Sequence, residues 1–139
     1  LNDLKKIQGN AIFKYSKIDS LGNLKHIGGV LDLQDSEVKD LGELETIGWS
    51  AFFNNSKVTS LKHLKRIGYK ASFMNSNVTD LGELEYIGGD AIFINSKIKD
   101  TSSIKQIRGE AFYDKKNKPT KLNKSKMKSE SGLLDIIDV

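Results

Sequence analysis

The chain has 139 residues, 37% of them hydrophobic, with 22 Lys+Arg against 18 Asp+Glu and no cysteine. That length and apolar share suit one folded unit able to bury a continuous core. Lack of cysteine excludes a disulfide framework, thiol catalysis and zinc–thiolate sites, and no apolar run approaches the length of a membrane span.

The predicted elements recur every twenty residues, without an insertion, from Leu1 to about Tyr113. Five units open on leucine (Leu1, Leu21, Leu41, Leu61, Leu81) and the sixth on Thr101, followed three residues on by Leu4, Leu24, Leu44, Leu64, Leu84 and Ile104. Three further come Ile7, Ile27, Ile47, Ile67, Ile87 and Ile107. The step of three predicts a compact return of 3₁₀-like or extended turns. Glycine at 28, 48, 68 and 88 then predicts a corner with positive φ, which other residues enter only at a cost.

Past the corner the pattern alternates. Ala11, Leu31, Ala51, Ala71, Ala91 and Ala111 are followed two residues on by Phe13, Leu33, Phe53, Phe73, Phe93 and Tyr113. Alternation over so few residues predicts a short strand with one face buried. Ser16, Ser36, Ser56, Ser76 and Ser96 lie just beyond, where stacked hydroxyls would satisfy backbone groups from coil to coil. Ile18, Val38, Val58, Val78 and Ile98 close the unit. Self-similarity at this fixed length marks a solenoid, one coil per unit, and six coils at ~4.8 Å spacing would span roughly 25–30 Å.

The unit Ile27-Gly-Gly-Val-Leu-Asp-Leu-Gln-Asp-Ser-Glu-Val, followed by Leu41, Leu44 and Ile47, resembles a short leucine-rich repeat. It is most similar to compact bacterial and phage-type repeats with a Gly-Gly-x-Leu-x-Leu core, and the likeness covers about residues 1–113. Serine stands where that family usually carries an asparagine ladder. The resemblance implies an α/β-type repeat solenoid dominated by β: right-handed, about six coils, with a short-stranded parallel sheet on the concave face and irregular or 3₁₀ returns. It also implies a role in binding proteins. A square pentapeptide-repeat helix fits less well, since its fourth corner would fall on Lys6, His26, Thr46, Arg66, Tyr86 and Gln106.

Residues 1–113 are nearly neutral, whereas Lys115, Lys116, Lys118, Lys121, Lys124, Lys126 and Lys128 crowd the remainder. Residues 114–139 thus read as a basic connector, with the apolar stretch Gly132–Val139 available as a cap over the last coil. The alternative is a tail on a domain cut from a longer protein, in keeping with a start that is not Met and has no signal-peptide pattern. The lysine run could contact nucleic acid or anionic lipid. It carries no aromatic residue beyond Tyr113 to stack on bases, so nucleic acid is not favoured.

If Ala11, Phe13 and their equivalents point inward, the residues between them face the concave surface. Phe52, Met74, Ile92, Ile94 and Phe112 then form an apolar strip of the kind that marks an interface. Trp49 and Tyr69 replace the glycine of 9, 29, 89 and 109 on adjacent coils and are expected on an outward rim, since rings there would overpack the stack. Aromatic residues and Met suit a contact centre. The expected partner is a protein. The alternative is self-association, as a homodimer or by docking to a neighbouring domain.

Lys25, Glu45, Lys65, Glu85 and Lys105 alternate in sign down one column and are expected to pair between coils. His26 and His63 fall in different columns without convergent carboxylates. No nucleophile–base pair, phosphate loop or metal spacing is present, so neither enzyme activity nor a cofactor is expected.

Overall fold

The computed structural model describes residues 3–115. The connector and cap expected over 114–139 lie outside the described residues, apart from Asp114 and Lys115. The described chain is a parallel β-solenoid, and among the described residues there is no helix. None is therefore long and apolar enough to cross a membrane.

Each twenty-residue turn carries two strands of two residues. In chain order they are β1 (Lys6–Ile7), β2 (Ala11–Ile12), β3 (His26–Ile27), β4 (Leu31–Asp32), β5 (Thr46–Ile47) and β6 (Ala51–Phe52). There follow β7 (Arg66–Ile67), β8 (Ala71–Ser72), β9 (Tyr86–Ile87), β10 (Ala91–Ile92), β11 (Gln106–Ile107) and β12 (Ala111–Phe112). The odd strands form one six-stranded sheet, β1-β3-β5-β7-β9-β11, and the even strands another, β2-β4-β6-β8-β10-β12. All pairs are parallel with residues twenty apart in register, such as Ile7 with Ile27 and Ala91 with Ala111.

The second sheet is the strand read from the alternation. The first sheet was not foreseen: it occupies what the three-residue step predicts as a return. The step itself survives as a single tight turn, closed by Leu24 N–H to Leu21 O at 3.2 Å and Leu64 N–H to Leu61 O at 3.0 Å. After that turn the chain is extended for only two residues, too short for alternation to register in the sequence.

The interior is built from the apolar columns. Leu24, Leu44, Leu64 and Leu84 are fully buried, as are Leu31, Leu33, Phe53, Phe73 and Phe93. The phenylalanine rings stack in parallel, with centroids 5.2 Å apart for Phe53–Phe73 and 5.6 Å for Phe73–Phe93. Small Ala beside large Phe conserves volume against the Leu31/Leu33 pair in the second turn, which keeps the layer filled when both positions change together.

The glycines at 28, 48, 68 and 88 are required, but not for the expected reason. Positive φ falls instead at Gly22, Gly42 and Gly82, with Lys62 taking the same place at φ 50. At Gly48 and Gly68 a Cβ would run into the backbone carbonyl of Gly28 and Gly48, respectively, one turn below. Close approach of successive backbones disfavours a side chain at these four positions. Gln8 has no described turn beneath it, and Arg108, which does stand over Gly88, is the exception at the last described turn.

The serine column also departs from expectation. Its hydrogen bonds stay within each turn: Ser16 Oγ accepts from Ile18 N–H at 3.1 Å, and Ser56 Oγ donates to Phe53 O at 3.1 Å. Ser36 Oγ is buried without a partner. The ladder between turns belongs to the preceding residues. Asp35, Asn55, Asn75 and Asn95 all have positive φ, between 51 and 55, a conformation Asn and Asp tolerate best among residues with a Cβ. Asn55 Nδ2 donates to Asp35 Oδ1 at 3.1 Å, and Asn95 Nδ2 to Asn75 Oδ1 at 2.5 Å.

Of the alternating charges, Lys105 reaches Glu85 at 3.2 Å, while Lys65 turns to Glu83 at 3.9 Å. These pairs are exposed, so each contributes at most about 1 kcal/mol. His63 Nδ1 lies 3.0 Å from Glu83, a carboxylate the sequence reading had not given it, and His26 Nδ1 lies 2.7 Å from Thr46 Oγ1.

A polar residue starts each turn's corner. Ser20, Asp40, Ser60, Asp80 and Asp100 accept the N–H two residues on, at 2.8–3.1 Å. Asp40 also accepts from Lys62 Nζ at 2.9 Å. The Lys62 hydrogen bond first, then that of Gly42 N–H, holds the Asp40 carboxyl below its ordinary value, against partial burial that acts the other way. A depressed value means the contribution is complete above the unfolded carboxylate value of about 3.9 and is lost as pH falls through the folded value. Asp40→Asn is therefore expected to lower the urea midpoint at neutral pH, and the gap from wild type should narrow on acidification below about pH 4. A gap that stays constant from neutral to acid would show that ionised Asp40 contributes nothing.

Candidate binding face

Alternation across the even strands directs Ala11, Ala51, Phe53 and their equivalents into the core, which leaves the second residue of each strand on the outer face. In register along the second sheet these residues are Ile12, Asp32, Phe52, Ser72, Ile92 and Phe112. Phe52, Ile92 and Phe112 are half-buried, and Met74 and Ile94, two residues further along their turns, are half-buried too. The structure thus brings five of the sequence-selected residues onto one face.

Ser72 interrupts the column. It faces outward yet is only 4% exposed, because it sits between the bulkier Phe52 and Ile92 on the neighbouring strands. Phe52 and Ile92 therefore cover the small residue between them and present a continuous apolar surface to solvent. No family model, curated protein or solved structure matches this chain. The chemistry of the face therefore has to be read from its own atoms.

Trp49 and Tyr69 occupy the corner between the two sheets, three residues before Phe52 and Ser72. They are 58% and 53% exposed, on the outward rim as expected, and meet edge-to-face with centroids 5.9 Å apart and planes at 71°. This geometry suits the aromatic quadrupole and leaves much of both rings in solvent. Tyr69 lies against Gly89, where an added Cβ would come 2.9 Å from its Cδ1. The glycine above thus accommodates the ring, a link invisible until residues twenty apart are stacked.

The sequence reading passed over several features of this surface. Ile12 shares the Phe52 column and is 58% exposed, separated from the main patch by Asp32. The column position alone would have found it. Among the described residues, Asn54 Oδ1 and Glu110 Oε2 are buried without hydrogen-bond partners, and both belong to the columns flanking the apolar one. Nothing in composition or period signals such orphaned atoms, because they depend on what the neighbouring turns place beside them. Among the described residues no group of three or more His, Asp or Glu could hold a metal ion.

Proposed function

We propose that the chain is a leucine-rich-repeat-type, right-handed solenoid of about six coils that recognises a protein partner through the outer face of its second sheet. The observation that carries this reading is the row of half-buried apolar side chains on one face, with Phe52 and Ile92 closing over Ser72 and Met74, Ile94 and Phe112 extending the strip. A cluster of apolar and aromatic side chains on one face matches the anatomy of contact centres, in which a few residues dominate the affinity. Trp49 and Tyr69 form the rim, adding area at low conformational cost because each ring has only two side-chain torsions. No cofactor and no catalytic step belong to this proposal.

Affinity capture with the wild-type chain against a Trp49→Ala/Phe52→Asp double variant tests it. The partner is expected with wild type and absent with the variant, provided both unfold at the same urea midpoint. Equal capture by both would remove this face from consideration.

A structural role is the second reading: the same outer face, with Phe52, Ile92 and Phe112 half-buried in register, suits packing against a second copy of the chain or a neighbouring unit. Light scattering separates the two readings: a concentration-dependent dimer lost on Phe52→Asp assigns the apolar face to self-association.

A further inference from the structure

Polar groups on either side of the apolar column differ from one end of the sheet to the other. In the column before each even strand, side-chain oxygens cap the next turn. Asn10 Oδ1 accepts from Val30 N–H at 2.8 Å, Ser50 Oγ from Lys70 N–H at 3.3 Å, and Asp90 Oδ1 from Glu110 N–H at 2.9 Å. Glu110 stands one turn further on in the same column, and its Oε2 is buried without a hydrogen-bond partner among the described residues. On the other side of Phe112, Asp114 Oδ2 accepts from Asn95 N–H at 3.2 Å.

Carboxylates thus flank the apolar column only at its last two turns: Asp90 before Ile92, and Glu110 and Asp114 on either side of Phe112. In the first four turns neither flanking column holds an acid. A buried carboxylate oxygen left without a donor costs free energy, and a guanidinium or ammonium beside an apolar contact removes that cost. Arginine fits best, since its planar fork offers several donors and its methylene stem lies along apolar surface.

Resting on the binding role of this face, we propose that the partner presents an apolar segment bearing Arg or Lys side chains. Its apolar groups seat over Phe52, Ser72 and Ile92, and its cations reach Glu110 and the acids beside it. The apolar column supplies the contact area, and three acids at its far end (Asp90, Glu110 and Asp114) against the single Asp32 beside Phe52 favour one direction of the segment along the sheet. Segments of the same hydrophobicity carrying acids are rejected, because like charges would meet at the last two turns.

Selection of random displayed peptides on the full chain, with the Phe52→Asp variant for subtraction, tests this. The enriched sequences are expected to combine Leu, Ile, Val or Phe with Arg or Lys. A selected peptide should bind Glu110→Gln about tenfold more weakly than wild type, the scale of one charge-assisted hydrogen bond. Asp90→Asn retains an acceptor for Glu110 N–H and serves as the second variant, with a smaller loss expected.

Enriched sequences without cations, or affinity indifferent to both variants, would overturn the proposal while leaving the apolar binding face intact. Failure to enrich any sequence over Phe52→Asp would overturn both.

Discussion

Phe73→Ala is expected to destabilise the protein by about 3–5 kcal/mol, the range for deleting a fully buried aromatic ring. Phe73 is 0% exposed and stacks on Phe53 below and Phe93 above, at 5.2 and 5.6 Å, so its loss leaves two ring faces without partners. The fixed spacing of the strands on either side prevents the turns from closing onto the cavity. Phe13→Ala, in the same column but only partly buried at the first turn, should cost clearly less. Urea denaturation of the two variants measures the difference. Equal losses would mean that the ring stack contributes nothing beyond local burial.

Gly68→Ala should cost about 1–3 kcal/mol, even though alanine is the smallest side chain that can be added. Its Cβ would run into the carbonyl oxygen of Gly48, and backbone atoms held by hydrogen bonds on both sides cannot yield as a flexible side chain would. Gly9→Ala is the matched control. No atom lies within 4 Å of the position its Cβ would take, so its effect should remain within roughly 0.5 kcal/mol. Denaturation midpoints of the pair decide the point: if Gly68→Ala behaves like Gly9→Ala, successive turns are not in backbone contact at this corner. The comparison separates crowding from helix or strand propensity, because both substitutions are Gly→Ala at corner residues outside the strands.

Much of the architecture was legible because stacking by twenty residues turns a one-dimensional period into a set of neighbours. From the second turn onward the Leu, Ile, Ala and Phe columns lie in the core, and the apolar strip of Phe52, Met74, Ile92, Ile94 and Phe112 shares one outer face. The first sheet escaped notice because strands such as His26–Ile27 are two residues long, and alternation needs at least a third to register. The recurring glycines at 28, 48, 68 and 88 point in the sequence to dihedral freedom, whereas the structure ties them to crowding by the turn below, which leaves no mark in the sequence. The serine column drew attention through its regularity, although the bonds between turns run through the Asx residues just before it. Asn and Asp directly preceding serine in four successive units was the available signal.

Period and composition alone thus determine that this chain winds into stacked turns, which residues line its interior, and that it has no thiol chemistry. Those properties follow from which side chains avoid water and how often they recur, and both can be counted along the chain. Only the folded molecule decides that each turn contributes to two sheets, that Ser72 is sunk between Phe52 and Ile92, and that Glu110 Oε2 lacks a donor among the described residues. These depend on the packing of side chains from different turns, whose heights and hydrogen-bond partners are set by three-dimensional neighbours and not by the residues adjacent in the chain.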